Sequence, residues 1–163
     1  MLVYHTFEPI ADTKSRILIL GSLPSVKSRE GNFYYHHPQN RFWKVINSLT
    51  NYMPKQPAPE SIAEKKEMLL TNGIAIWDVI ASCDITGSSD SSIKDVTAND
   101  IAGLLEKYPM QKIYTNGGKA GQLYDKYCLK ETGVSCIKLP STSPANAAWS
   151  LERLTEAWKV IMD

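Results

Sequence analysis

Residues 31–43, GNFYYHHPQNRFW, gather more chemistry-bearing side chains than any other stretch of this 163-residue chain. Aromatic rings, His36, His37, Pro38 and the amides Gln39 and Asn40 follow one another there with neither helical nor strand periodicity. A glycine-led turn, GSLPS (21–25), lies just upstream. Two more loops carry small polar groups, Asn116-Gly117-Gly118 and PSTSPANAAW (140–149). Irregular loops of this kind in a compact chain more often bind and orient a ligand than serve as spacers. The cysteines offer no competing chemistry. Cys83, Cys128 and Cys136 form no CxxC pair, which argues against a zinc ribbon or an iron–sulfur cluster, and an odd count fits a reducing compartment. GxGxxG, GxxxxGK[ST] and GxSxG do not occur, so dinucleotide, P-loop and hydrolase-elbow chemistries lack their signatures.

These loops need a frame. RILIL (16–20) is a short apolar run ended by Gly21 and reads as a buried strand. GIAIWDVI (73–80), KIYT (112–115) and SCIKL (135–139) read the same way. FWKVINSL (42–49) places Phe42, Val45, Ile46 and Leu49 on one helical face. Ser61 with Glu64 is a capping-box start for a helix that stops near Asn72-Gly73. Thr97 with Asp100 gives a cap-like start ahead of IAGLLEKY (101–108), and another helix runs from about Lys119 to Tyr127. The last helix begins at Ser150 and aligns Leu151, Leu154, Trp158 and Ile161. NYMPKQPAPE (51–60) and SCDITGSSDSSIKD (82–95) read as loops. Alternating strands and helices predict an α/β, single-domain, three-layer αβα fold over residues 1–163 with a central four-stranded parallel sheet. The loops 21–40, 116–118 and 140–149 then open on one side of that sheet, where open α/β sheets bind ligands.

Composition bounds the partners. Hydrophobic residues at 43% with 21% charged is ordinary globular composition, which removes the disordered and fibrous classes. A net charge of +1 does not announce nucleic acid. Lys14, Arg16, Lys27, Arg29, Arg41 and Lys44 nevertheless form a local basic excess, diluted by Asp12 and Glu30. No apolar run approaches the roughly 20 residues of a bilayer span, and the N-terminus lacks a signal-type apolar core. The expectation is a cytoplasmic protein with no membrane partner.

GSLPS, FYYHHPQNRFW and LPSTSPANAAWSLERL, in that order over nearly the whole chain, resemble the uracil-DNA glycosylase superfamily. Its mismatch-specific members carry GINPG, an HPANRFW-like segment and an NPSGLS loop before a SLEKL helix; HPQNRFW (37–43) and SLERL (150–154) match these closely. The hypoxanthine-DNA glycosylase branch is the most similar, with GSLPS-like and YYGHPQNRFW-like segments and a strand resembling Trp77-Asp78-Val79. Leu23 is a departure. GINPG enzymes place there an asparagine that positions the attacking water, and leucine can neither donate nor accept a hydrogen bond. The resemblance implies a uracil-DNA glycosylase-like fold and a monofunctional DNA-deoxyinosine glycosylase, a hydrolase of N-glycosyl bonds. Its substrate would be double-stranded DNA containing a deaminated base, hypoxanthine ahead of others, flipped out before hydrolysis. No cofactor and no metal are implied, and the protein is expected to be a monomer.

Within that resemblance Asn40 matches the catalytic residue, orienting water or bonding the leaving base; as the residue before a helix it is also a favoured N-cap. Tyr35 stands where the family places a stacking aromatic, with Tyr34 or Tyr35 otherwise packing the loop onto the sheet. The Gly21 turn can aim the N–H groups of Ser22 and Leu23 at a base on which negative charge develops. Asn116 reads the base edge, since hypoxanthine has a carbonyl where adenine has an amino group, or it is simply a turn residue. Ser141, Thr142 and Ser143 are short donors suited to phosphates beside a flipped nucleotide, and Asn146 is the candidate to fill the vacated stack. An ordinary Ser/Pro turn is the alternative for that loop. His37 braces its own loop, while Asp78 and Asp84 are acids near the site without a motif to assign them a role. Other readings stay open: a uracil- or xanthine-directed enzyme of the same superfamily, a catalytically silent binder of damaged DNA, or an enzyme of small nucleotides.

Overall fold

The computed structural model describes residues 2–4, 7–23, 26–31, 33–51, 57–86 and 92–163. Pro24 and Ser25 of the GSLPS turn, residues 52–56 of the proline-rich loop, residues 87–91 and the side chains of residues 26, 27 and 30 lie outside them. In chain order the strands are β1 (Leu2–Tyr4), β2 (Ile17–Gly21), β3 (Ile74–Asp78), β4 (Ile80–Asp84), β5 (Lys94–Ala98), β6 (Lys112–Asn116) and β7 (Cys136–Leu139). The helices are α1 (Val26–Gly31), α2 (Phe42–Thr50), α3 (Ile62–Thr71), α4 (Ile101–Lys107), α5 (Gly118–Tyr127), α6 (Leu129–Thr132) and α7 (Leu151–Trp158).

The four expected strands form one parallel sheet in the order β3-β2-β6-β7. Strand β2 is buried throughout because both faces are covered, which is why its sequence is unbroken apolar rather than alternating. On one face Ile17, Ile19, Ile74, Ile76 and Tyr114 pack with Phe42 and Ile46 of α2, Met68 and Leu69 of α3, and Leu154 and Trp158 of α7. On the other, Leu18, Leu20, Ala75 and Ile113 meet Ile101 and Leu104 of α4 and Leu123 and Tyr124 of α5. Helix α3 starts as expected, Ser61 Oγ accepting the Glu64 N–H at 3.1 Å, and Ser150 Oγ accepts the Arg153 N–H at the start of α7.

The stretch 82–95 corrects the sequence reading. It is not simply a loop: β4 and β5 pair antiparallel, and β1 joins β4 to make a second sheet in the order β1-β4-β5. Ser82 and Asp84 hide a strand whose backbone partner is a separate segment, Lys94–Ala98, so local pattern could not reveal it. Thr97 belongs to β5, and the cap of α4 is Asp100 alone, its Oδ1 accepting the Gly103 N–H at 2.9 Å.

Burial leaves a titration signature. The thiols of Cys128 and Cys136 are pushed up from 9.0 to about 11 by burial, reinforced by Glu131 and Asp125 respectively, and burial also raises the phenols of Tyr114 and Tyr124. Each of these groups binds its proton more tightly folded than unfolded. Their stabilisation is therefore complete below the ordinary values and is lost as pH rises through the folded ones. The melting temperature is expected to fall as pH is raised from 9.0 to about 11, and thiol reagents near neutral pH are expected to label the native protein far more slowly than the unfolded chain. A melting temperature flat across that window would contradict this.

Candidate active site

The HPQN segment is a turn that ends where α2 begins. His37 O accepts the Asn40 N–H at 2.9 Å, with Pro38 second in the turn, and His37 Nδ1 accepts the Gln39 N–H at 3.0 Å. Asn40 is thereby set against the first turn of α2. Its Oδ1 accepts the Phe42 N–H at 2.9 Å, one of the donors a helix start leaves unpaired. The same oxygen accepts from Thr142 Oγ1 at 2.8 Å.

Thr142 connects Asn40 to Asn116. Asn116 Oδ1 accepts the Thr142 N–H and Asn116 Nδ2 donates to Thr142 Oγ1, both at 2.9 Å. Two main-chain N–H groups settle every polarity in this chain of bonds. The Thr142 N–H requires an oxygen on Asn116, so the amide nitrogen faces the hydroxyl. The hydroxyl, having accepted, sends its own proton to Asn40, whose oxygen end is independently required by Phe42 N–H. Asn40 Oδ1 thus holds two hydrogen bonds, while its Nδ2 has no partner among the described residues. The N-cap of α2 is Arg41 and not Asn40, which stands one residue earlier; the Asn40 carbonyl end takes the first N–H of the helix and its amino end stays available.

The 140–149 loop is held from below. The Arg41 guanidinium donates to the carbonyls of Trp149, Ser143 (2.9 Å) and Asn146 (3.1 Å), and Trp158 Nε1 donates to Pro140 O at 2.9 Å. Gly117 (φ +98°) lies so close that an added Cβ would stand 3.2 Å from Ser141 Cβ; only glycine satisfies both the backbone conformation and the approach. This loop corrects one expectation. Thr142 is fully buried, with its N–H, carbonyl and hydroxyl all engaged, so its hydroxyl faces the protein interior and not a phosphate. Ser141 and Ser143 remain partly exposed. The Asn146 side chain folds back to donate to Ser141 O at 3.0 Å, leaving Ala145, Ala147 and Ala148 as the exposed residues of the loop.

The tyrosine pair divides its labour. Tyr34 is buried, its hydroxyl donating to Glu8 O at 2.7 Å and its ring edge-on to Phe7 and Phe33. Tyr35 is half-buried in the left-handed region (φ 49°) and lies flat on Phe42, with ring centroids 4.1 Å apart. Its hydroxyl is buried beside Asn116, with no hydrogen-bond partner among the described residues. Burial first, then the Asp78 charge, raises both phenols, so each stays a protonated donor. Gly21 underlies this corner. A Cβ there would stand 2.3 Å from Asp78 Oδ1 and 3.1 Å from the Tyr35 hydroxyl. Beyond Gly21, the N–H groups of Ser22 and Leu23 have no partner among the described residues, and the Leu23 side chain packs into the opposite core.

The structure therefore gathers Asn40, Asn116 and Thr142 into one hydrogen-bonded unit, with Gly21 and Tyr35 beside Asn116. Arg41 and the linking function of Thr142 escaped sequence reading, Arg41 being visible only as part of a basic excess, while Asp78 was seen as an acid near the site without a role. The link is testable. Thr142→Val keeps the shape but strips Asn116 Nδ2 and Asn40 Oδ1 of a partner, which is expected to lower unfolding free energy by ~1–3 kcal/mol in urea titrations, with Thr142→Ser near the parent. An unchanged midpoint in Thr142→Val would show that the linkage carries no stability.

Known proteins agree with this architecture. The family model described as the uracil DNA glycosylase superfamily matches residues 8–163. A Methanosarcina acetivorans protein named hypoxanthine DNA glycosylase is 36% identical over 161 residues, covering 98% of each chain. A Methanosarcina barkeri protein of the same name is 32% identical over 152 residues, covering 93% of each. The solution NMR structure of a Methanosarcina acetivorans protein with the provisional designation uracil DNA glycosylase superposes with a TM-score of 0.79 at 35% identity, over 99% of this chain and 97% of that one. No helix among the described residues is long and apolar enough to cross a membrane. With a family match spanning nearly its whole length and relatives above 30% identity end to end, the chain belongs to the uracil DNA glycosylase superfamily.

Proposed function

We propose that this protein is a monofunctional DNA glycosylase that hydrolyses the N-glycosidic bond of deaminated bases in duplex DNA, with hypoxanthine preferred. The observation that carries the reading is the polarity of Asn40: its oxygen is bound to Phe42 N–H and Thr142 Oγ1, which leaves the amide nitrogen as its ligand-facing group. The names of the relatives at 36% and 32% identity support hypoxanthine as the base.

The chemistry follows from what the site contains. The glycosidic bond cannot be reached inside the stack, so the nucleotide must be everted at a cost of a few kcal/mol, and an aromatic platform returns ~1–3 kcal/mol. Tyr35, braced on Phe42, supplies that platform with its outer face. Bond cleavage builds positive charge on the sugar and negative charge on the departing base. Neutral donors fixed in advance stabilise that charge without needing a strong base. Asn40 Nδ2 and the N–H groups of Ser22 and Leu23 are those donors, and the start of α2 adds a favourable partial charge. An amide nitrogen donates to water and cannot accept its proton, so Asn40 acts on the leaving base more than on the nucleophile. Ser141 and Ser143 take the flanking phosphates, and the alanine-rich end of the 140–149 loop enters the vacated stack.

Deoxyinosine duplex is expected to yield abasic sites, with strand breaks appearing only after alkali. Asn40→Asp separates the two ends of the side chain. The carboxylate still accepts the Phe42 N–H, so stability is retained, but the donor is gone and the rate constant should fall by roughly 100-fold. Asn40→Ala should lose both rate and about 1 kcal/mol of stability. Tight binding without base release from deoxyinosine, deoxyuridine or deoxyxanthosine duplexes would favour a silent binder instead.

A further inference from the structure

We infer that Arg41 is a positioning residue for base eversion: its guanidinium holds the 140–149 loop, before DNA arrives, in the shape that enters the stack. This rests on the glycosylase reading above and goes beyond it, because that reading gives Arg41 no step. Two consecutive residues grip the loop. Asn40 Oδ1 accepts from Thr142 Oγ1 at 2.8 Å, and the Arg41 N–H donates to Thr142 O at 3.1 Å. The Arg41 side chain then reaches past Thr142. Nη2 donates to Ser143 O and Asn146 O, and Nη1 donates to Trp149 O, so one planar fork fastens the first, middle and last residues of 143–149. The loop's own bonds do not replace this. Asn146 N–H to Ser143 O and Trp149 N–H to Asn146 O close two short turns, and the guanidinium takes the same two carbonyls and sets the turns relative to each other. Arg153 lies 4.2 Å over the Trp149 ring and donates to Ala148 O at 3.2 Å, which steadies the end that joins α7.

Burial cannot hold this loop. Thr142 is the one buried residue of 140–149, and Ala145, Ala147 and Ala148 are exposed. Those alanines also make a poor wedge, since a large apolar side chain offsets part of the unstacking cost through its own buried surface and a methyl group covers little. What an alanine tip contributes must come from rigidity. A loop that became ordered only as it entered the duplex would lose its conformational entropy at that step, and a loop already fixed does not. The charge of Arg41 suits the same purpose. No salt bridge among the described residues engages it, and main-chain carbonyls with partial charges are its acceptors. Positive potential therefore remains beneath the loop, where a descending phosphate backbone is favoured. Lysine cannot reproduce the arrangement, because its ammonium is a point charge without a fixed fork. As the N-cap of α2, Arg41 makes no side-chain cap bond, so shortening its side chain leaves the helix start intact.

The test compares substrates with and without a stack to open. Single-turnover base release is followed on a deoxyinosine duplex and on the same deoxyinosine strand alone. Arg41→Ala is expected to lose roughly 10- to 100-fold on the duplex and only a few-fold on the single strand, with Arg41→Lys intermediate on the duplex. A purely structural role, or one exerted on Asn40 and bond cleavage, would lower both rates by the same factor. 2-Aminopurine beside the deoxyinosine reports unstacking directly and carries the comparison where the parent ignores single strands: its fluorescence rise should slow in Arg41→Ala by the factor lost in duplex release. Should Arg41→Ala not fold, Arg41→Lys carries the same measurements. Equal losses on both substrates, no loss on either, or an unchanged fluorescence rise would overturn the inference while leaving the glycosylase reading intact. A parent protein that releases nothing from deoxyinosine in either form would overturn the glycosylase reading, and this inference with it.

Discussion

One hydroxyl proton organises this site. Thr142 Oγ1 accepts from Asn116 and donates to Asn40, joining segments 26 and 102 residues away in sequence. Because a hydroxyl has one proton to give, accepting on one side dictates donation on the other. The orientation of both amides follows, and with it the group each can offer a ligand. The rest of the molecule maintains the closeness that this bond needs. Parallel strands bring the three loops to one end of the sheet, Gly117 lets the 116–118 turn touch Ser141, and the Arg41 fork holds three carbonyls of the last loop.

The site works by prearranged neutral dipoles. Its polar groups are largely satisfied by one another, which makes them rigid and leaves few without a partner among the described residues: the Asn40 amide nitrogen, one Asn116 N–H, the Ser22 and Leu23 N–H groups and the Tyr35 hydroxyl. Leaving a buried hydroxyl unpaired is unfavourable by ~1–3 kcal/mol, and holding a tyrosine at φ 49° adds ~1 kcal/mol or more. The stack of Tyr35 on Phe42 and the burial around it offset this. Strain and an unpaired donor at one residue are the usual marks of a position shaped for a ligand more than for stability.

Most of the framework was legible in the chain itself. Each strand of the parallel sheet is a short apolar run with a turn residue after it, and each cap is a local motif, so Ser61, Asn72-Gly73 and Ser150 could be placed from their neighbours. The antiparallel sheet was not legible. Residues 80–84 and 94–98 carry Ser, Asp and Lys at positions where the strand signal needs apolar alternation, and their pairing is supplied by each other and by β1. Asp100 displaced Thr97 as the cap of α4 for the same reason: Thr97 was already held in a ladder.

The candidate site divides along a similar line. Sequence by itself determined which loops meet at the sheet end, because strands alternating with helices run parallel and carry the loops that follow them to one side. With the resemblance to the superfamily's motifs, it named Asn40, Asn116, Tyr35 and the 141–143 hydroxyls. Tertiary structure alone decided which atoms of those residues face a ligand: it turned Thr142 inward, gave the Asn40 oxygen to the helix and freed its nitrogen, and brought Asp78 and Tyr35 together over Gly21. The physical reason is that hydrogen-bond polarity is set by partners, and these partners lie 26 and 102 residues away, beyond the reach of any local pattern.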